Sequence, residues 1–173
     1  MFDDNNDEKS REKVKNMTVY RKAWQIMELG RKIGMLVSKD DIKSSDEING
    51  EMLESYAMYI IENSSILSAK IAGAEAGDLY GIRMENAAII RKAARELLTH
   101  TTGLKMLGYP NLDYLQLLRD EVEEFRVLFA EWVKTFDPWN YIKDDWGLFN
   151  PPGINYDDPD PDNNIPFDND EDF

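Results

Sequence analysis

"LQLLRDEVEEFRVLFAEWVKTF", residues 115–136, decides the fold of this chain. Its apolar residues Leu115, Leu118, Val122, Phe125, Phe129, Trp132 and Phe136 alternate three and four apart over some three heptads, the spacing that lines up one face of an α-helix. The polar residues between them include Asp120, Glu121, Glu123, Glu124 and Glu131 with Arg119, Arg126 and Lys134, which is how a solvated helix face with pairs one turn apart reads. An amphipathic helix of this length needs other helices to cover its apolar face.

Working outward, three more periodic runs supply them. "AAIIRKAARELLTHTTGLKMLGY" (87–109) carries the end of a run through Asn86, Ile90, Ala93, Leu97, Thr101 and Leu104. Glycine and then proline in "LGYPNLDY" stop it, and Asn111 stands where the next helix would be capped. Before it, Leu53, Ala57, Ile60, Ser64, Leu67, Ile71 and Ala74 form helix two from near Glu51, many of them small enough to let a neighbour approach closely. "AGDLYGI" (76–82) separates these two runs by a short turn, which predicts a helical hairpin. Gly73, Gly77 and Gly81, four apart at the end of a helix, suit close contact or termination rather than a phosphate loop. Helix one spans about Val14 to Ser38, with Val19, Ala23, Ile26, Gly30, Ile33 and Val37 on one face, and "SKDDIKSSDEING" reads as a flexible connection. The fold predicted is all-α, an antiparallel up-down-up-down four-helix bundle over residues 14–138.

The ends differ from the body. Of the net charge of −14, residues 1–8 carry −4 and residues 141–173 carry −9, so residues 9–140 are nearly neutral at −1. Residues 1–13 read as a polar, disordered N-terminus. Residues 139–150 hold Trp139, Tyr141, Trp146, Leu148 and Phe149; Trp146, Leu148 and Phe149 read as a strap packed on the bundle, with a free recognition motif as the alternative. Residues 151–173, rich in proline, asparagine and acid, cannot bury enough surface to offset the entropy of ordering and are predicted to be disordered. The apolar runs are too short to span a bilayer and the N-terminus lacks the order of a secretory signal, so a cytoplasmic protein without membrane contact is expected.

Little here assembles chemistry. His100 is the single histidine and no cysteine exists, which excludes thiolate chemistry and mechanisms with two imidazoles. A di-iron bundle needs two Glu-x-x-His pairs, whereas Glu96 lies four residues before His100. The aspartates of "YDDPDPDNN" lack the spacing of a calcium loop. No catalytic residue, metal site or cofactor is expected. The basic residues gather on two helices: Arg21, Lys22, Arg31 and Lys32 on the first, Arg83, Arg91, Lys92 and Arg95 on the third, with Arg91 and Arg95 one turn apart. They are ordinary solvated decoration or a phosphate-contacting stripe, and repetition of the stripe in an oligomer would strengthen it.

"YRKAWQIMELGRKI", "SSILSAKIAGAEAG", "AAIIRKAARELLTHTTGLKMLGY" and "EVEEFRVLFAEWVKTF" together resemble the small bacterial four-helix bundle family of the proteins encoded in 23S rRNA intervening sequences and of the accessory variability determinant of diversity-generating retroelements. The similarity covers roughly residues 15–137 and rests on patterns of small and apolar residues. It implies a homopentameric ring and, in the retroelement branch, a non-enzymatic partner of a reverse transcriptase and its RNA. The alternative is an interaction or structural module whose acidic tail engages a basic partner or competes for the protein's own basic face.

Overall fold

The computed structural model describes residues 4–40 and 47–159, which contain five α-helices and no strand. They are α1 (Asp4–Asn16), α2 (Thr18–Asp40), α3 (Glu47–Glu75), α4 (Tyr80–Met106) and α5 (Leu112–Val133). Helices α2, α3, α4 and α5 are the four runs read from the sequence, and their stripes form the core. Ala23, Ile26, Ile33, Ile60, Leu67, Ile71, Ile90, Leu97, Leu118 and Phe125 are essentially shut off from solvent, each large one contributing about 1.5–3 kcal/mol by its burial. Ser64 and Thr101 lie on these faces too. Both are buried, and their hydroxyls donate to the carbonyls of Ile61 and Leu98, which satisfies them inside the helix.

Packing follows side-chain size. α2 and α3 meet at glycine: a Cβ on Gly30 would fall 2.5 Å from Ser64 Oγ, and one on Gly34 would fall 2.5 Å from Ile61 Cγ1. Gly103 of α4 similarly admits the Tyr56 ring. The glycines singled out by their four-residue spacing play a smaller part, since Gly77 lies just past α3 with nothing near it. α3 packs against α2 and α4, while α5 closes the set against α2 and, less closely, against α4. Among the described residues no Cα of α2 comes within 8 Å of one in α4, nor one of α3 within 8 Å of α5, although the Trp132 indole of α5 reaches Glu75 of α3 through its side chain. The end of α4 is built as the sequence indicates: Gly108 takes φ of 82°, Tyr109 N–H donates to the Leu104 carbonyl, and Gly108 N–H donates to that of Lys105. This pair of bonds satisfies carbonyls that a helix end leaves open.

Three expectations need correction. Residues 1–13 were expected to lack order, yet Asp4–Asn16 is helical; residues 1–3 lie outside the described set. Its acids come first and Lys13 and Lys15 last, which matches the helix dipole, and the buried Val14 docks it. The break at Met17 separates it from α2. The linker predicted from Ser38 is shorter than expected, for α2 runs to Asp40 and α3 starts at Glu47.

The third concerns the C-terminal region. Asn140 pins its start, accepting from Tyr80 N–H at 2.8 Å and donating its side-chain amide to the Asp78 carbonyl. Pro151 is buried and Phe149 half-buried. Trp146 and Leu148, however, are 93% and 73% exposed, so these two do not strap the bundle. The cause is Asp144: its carboxylate accepts from the backbone N–H groups of Trp146, Leu148 and Phe149, while Asn150 ties back to it through two further bonds. Those N–H donors, Trp146 and Phe149 foremost, hold the Asp144 carboxyl below the usual carboxylate range. The loop is thus fixed by its own polar centre. Residues 151–159 are laid down on it, with Lys143 Nζ bonded to the Asp158 carbonyl at 2.7 Å. The predicted disorder of 151–173 therefore does not apply to 151–159, and residues 160–173 lie outside the described set.

Candidate nucleic-acid interface

The eight basic residues separate into two kinds once the helices pack. Arg21, Arg31, Lys32, Arg91, Lys92 and Arg95 are exposed. Lys22 and Arg83 turn inward. Lys22 Nζ reaches Glu121 at 2.9 Å and Glu124 at 2.5 Å, which ties α2 to α5. Glu124, assisted by Glu121, raises the Lys22 ammonium above its ordinary range against the opposing effect of burial. Arg83 binds the Glu75 carboxylate and lies 4.2 Å above the Phe136 ring. The same Glu75 oxygen accepts from the Trp132 indole N–H at 2.8 Å. These two cations are therefore occupied within the fold and do not belong to a basic surface. Periodicity could not separate them from the others, because it identifies a helix face without its neighbour.

Nor do the exposed cations form one stripe. No Cα of α2 among the described residues comes within 8 Å of one in α4, so Arg21, Arg31 and Lys32 on one helix are not continuous with Arg91, Lys92 and Arg95 on the other. Two of these six have partners on their own helix: Arg31 with Glu28 at 3.9 Å and Lys92 with Glu96 at 3.6 Å. Arg91 and Arg95 have none among the described residues.

What joins Arg91 and Arg95 is a residue on α5. Between α4 and α5 lies a groove of about 290 Å³ with an apolar floor that includes Ala94, Leu98, Phe125 and Phe129. Arg91 and Arg95 form its α4 rim, and Glu123 with Arg126 its α5 rim. Arg126 escaped the reading of the sequence because its bidentate pairing with Glu123, at 2.6–2.9 Å, is what a solvated helix face shows. Both partners are exposed, and surface pairs of this kind contribute little. One signal did exist: Phe129 belongs to the apolar stripe of α5, but it is only half-buried, because the helices part beside it.

No catalytic constellation accompanies the groove. His100 stacks on Tyr59 with ring centroids 5.0 Å apart and lies 5.6 Å from Tyr56, while Nδ1 has no hydrogen-bond partner among the described residues. Burial lowers its pKa, weakly opposed by Glu96 one turn away. Among the described residues, no three His, Cys, Asp or Glu side chains gather as a metal-binding group. No helix among them is long and apolar enough to cross a membrane.

No protein-family model, curated protein or solved structure matches the chain. Its function has to be argued from its own surfaces. Two stand out: the arginine-rimmed groove, and the Asp144 loop, which presents Trp146 and Leu148 beside Ile82 and Ile142 around a cavity of about 480 Å³.

Proposed function

We propose that the chain is a non-enzymatic, self-associating accessory protein of the cytoplasm that contacts RNA phosphates through Arg91, Lys92, Arg95 and Arg126. Its scaffold is an antiparallel up-down-up-down four-helix bundle. The contacts support this order, because they descend one helix while climbing the next: Gly30 meets Ser64 and Gly34 meets Ile61; Asn86 lies by Gly73 and His100 stacks on Tyr59. The observation that carries the functional reading is the convergence of three guanidiniums on one groove of a body whose charges, over residues 9–140, sum to −1. Guanidinium is suited to this task, being planar, always charged and matched to phosphate. The family resemblance adds a reverse transcriptase-type protein partner and a ring of five copies.

Filter binding of a single-stranded RNA at low and physiological salt tests it. The full chain binds with steep salt dependence, and Arg91→Gln/Lys92→Gln/Arg95→Gln lowers the slope of log affinity on log salt by about 2. Arg21→Gln/Arg31→Gln/Lys32→Gln, on the separate face, changes it far less. Absence of RNA affinity at both salt concentrations overturns the reading.

The exposure of Trp146 and Leu148 supports a second reading, a protein-interaction module acting through the acidic C-terminal region. A rigid loop that displays a tryptophan has the anatomy of a binding hot spot. Trp146→Ala/Leu148→Ala then abolishes partner binding while leaving the RNA titration unchanged.

A further inference from the structure

We propose that the groove between α4 and α5 is the seat of the chain's own C-terminal segment, residues 160–173. Three observations select that occupant. The first is chemistry. The groove pairs an apolar floor with a rim of Arg91, Arg95 and Arg126 against the single carboxylate of Glu123, a net positive rim, so it fits a segment that is both anionic and apolar. Residues 160–173 carry six carboxylates and no basic residue, and Ile165-Pro166-Phe167 sits in their midst. The other acidic stretch with large apolar side chains between its carboxylates, residues 144–158, is already committed to the loop built on Asp144, and residues 1–8 have Met1 and Phe2 ahead of theirs.

The second is the state of the rim. Arg91 and Arg95 have no ion-pair partner among the described residues, and Arg126 holds only Glu123, in an exposed pair. Carboxylates arriving from elsewhere meet two unengaged guanidiniums and a third that is readily shared.

The third is reach. The described chain ends at Pro159, immediately after the Asp158 carbonyl that Lys143 holds. Lys143 and Glu85 of α4 line the same cavity. From Glu85, Arg91 and Arg95 lie six and ten residues farther along α4, or roughly 9 and 15 Å at 1.5 Å per residue. The six residues from Pro159 to Ile165 span up to about 20 Å when extended. Arg91 and Arg95 also lie about a third to a quarter of a turn around α4 from Glu85, which the further residues to Phe167 and Asp172 are long enough to cover. Pro161 and Pro166 favour the extended backbone that this path requires.

Occupancy by the tail does not depend on RNA. Where the RNA reading also holds, the segment competes with phosphate for the same guanidiniums and sets the affinity of the resting protein.

The absence of cysteine makes a direct test clean. In the full chain, Phe167→Cys is combined with Ala130→Cys on the groove wall, or with Lys32→Cys on α2 as the control, and each is oxidised at low protein concentration. The expected result is a disulfide within one chain for the Ala130 pair, formed at least about tenfold faster than for the control and slowed about tenfold by Arg91→Glu/Arg95→Glu. Equal rates for the two pairs, no disulfide, or disulfide-linked dimers in place of the internal bond each overturn the proposal. An added RNA oligonucleotide separates the two readings: if the internal disulfide forms but RNA does not slow it, the RNA reading fails while the tail's seat stands.

Discussion

His100 is the only imidazole of the chain, and its surroundings make it a pH-dependent element of stability rather than a catalyst. Packed on Tyr59 and Tyr56 of α3, it is held below its ordinary pKa of 6.5 by burial, with Glu96 in weak opposition. The folded protein consequently binds this proton less readily than the unfolded chain. Stability is complete above about pH 7 and declines as pH falls through 6.5 toward the lowered folded value. Thermal unfolding at pH 7.5 and 5.5 should show a lower Tm at the acid value, and His100→Gln should flatten that difference. A slope unchanged in the variant assigns it to carboxylates instead. The sequence disclosed that this histidine lacked a catalytic partner. It did not disclose the two tyrosines, because they belong to another helix and meet the imidazole only after packing.

Among the elements, the most consequential junction is where α3 ends, α4 begins and α5 finishes. Glu75 accepts from Arg83 and from the Trp132 indole, and Arg83 covers Phe136, whose ring meets Trp132 edge-on at 4.8 Å. Glu75 and Arg83 retain only 10% and 13% of their side-chain exposure. Removing one partner leaves a largely buried charge, so Glu75→Ala should cost about 3 kcal/mol or more in urea unfolding. The double variant Glu75→Leu/Arg83→Met replaces both charges with apolar volume and should recover most of that loss. If the double variant is as unstable as the single one, the cluster acts through packing and not through charge. Trp132 and Phe136 were legible as core from their spacing. Glu75 and Arg83 were not, because each reads as a polar residue near a turn, and only the meeting of three helix ends brings them to one place.

For the molecule as a whole, charge and assembly are linked. One copy offers Arg91 and Arg95 of α4 and Arg126 of α5 around one groove, with Lys92 adjacent on α4, while the cations of α2 lie on another helix. A single copy therefore makes few phosphate contacts, and a salt slope greater than about 3 requires the patch to be repeated in an assembly. Light scattering should give a mass that is a multiple of the 20.0 kDa chain; a monomer would confine RNA binding to the weak end. Two surfaces that bear on function, the groove and the Asp144 loop, were each half visible in the sequence. The cations of α4 were counted there, but Arg126 was assigned to Glu123. Trp146 and Leu148 were noticed, but their apolar character suggested burial.

Helical periodicity comes from each segment's own side chains, so the amino-acid order alone determined the four long helices, their core faces and the end of α4 at Gly108. It also determined the concentration of acid at the two ends. Which cations remain in water was decided only in three dimensions. Lys22 and Arg83 face carboxylates on neighbouring helices, Arg91 and Arg95 face a gap, and Asp144 gathers enough backbone N–H groups to hold Trp146 out in solvent. Each of these outcomes depends on a contact between residues distant in sequence or on a loop closed by hydrogen bonds, and such contacts leave no periodic trace.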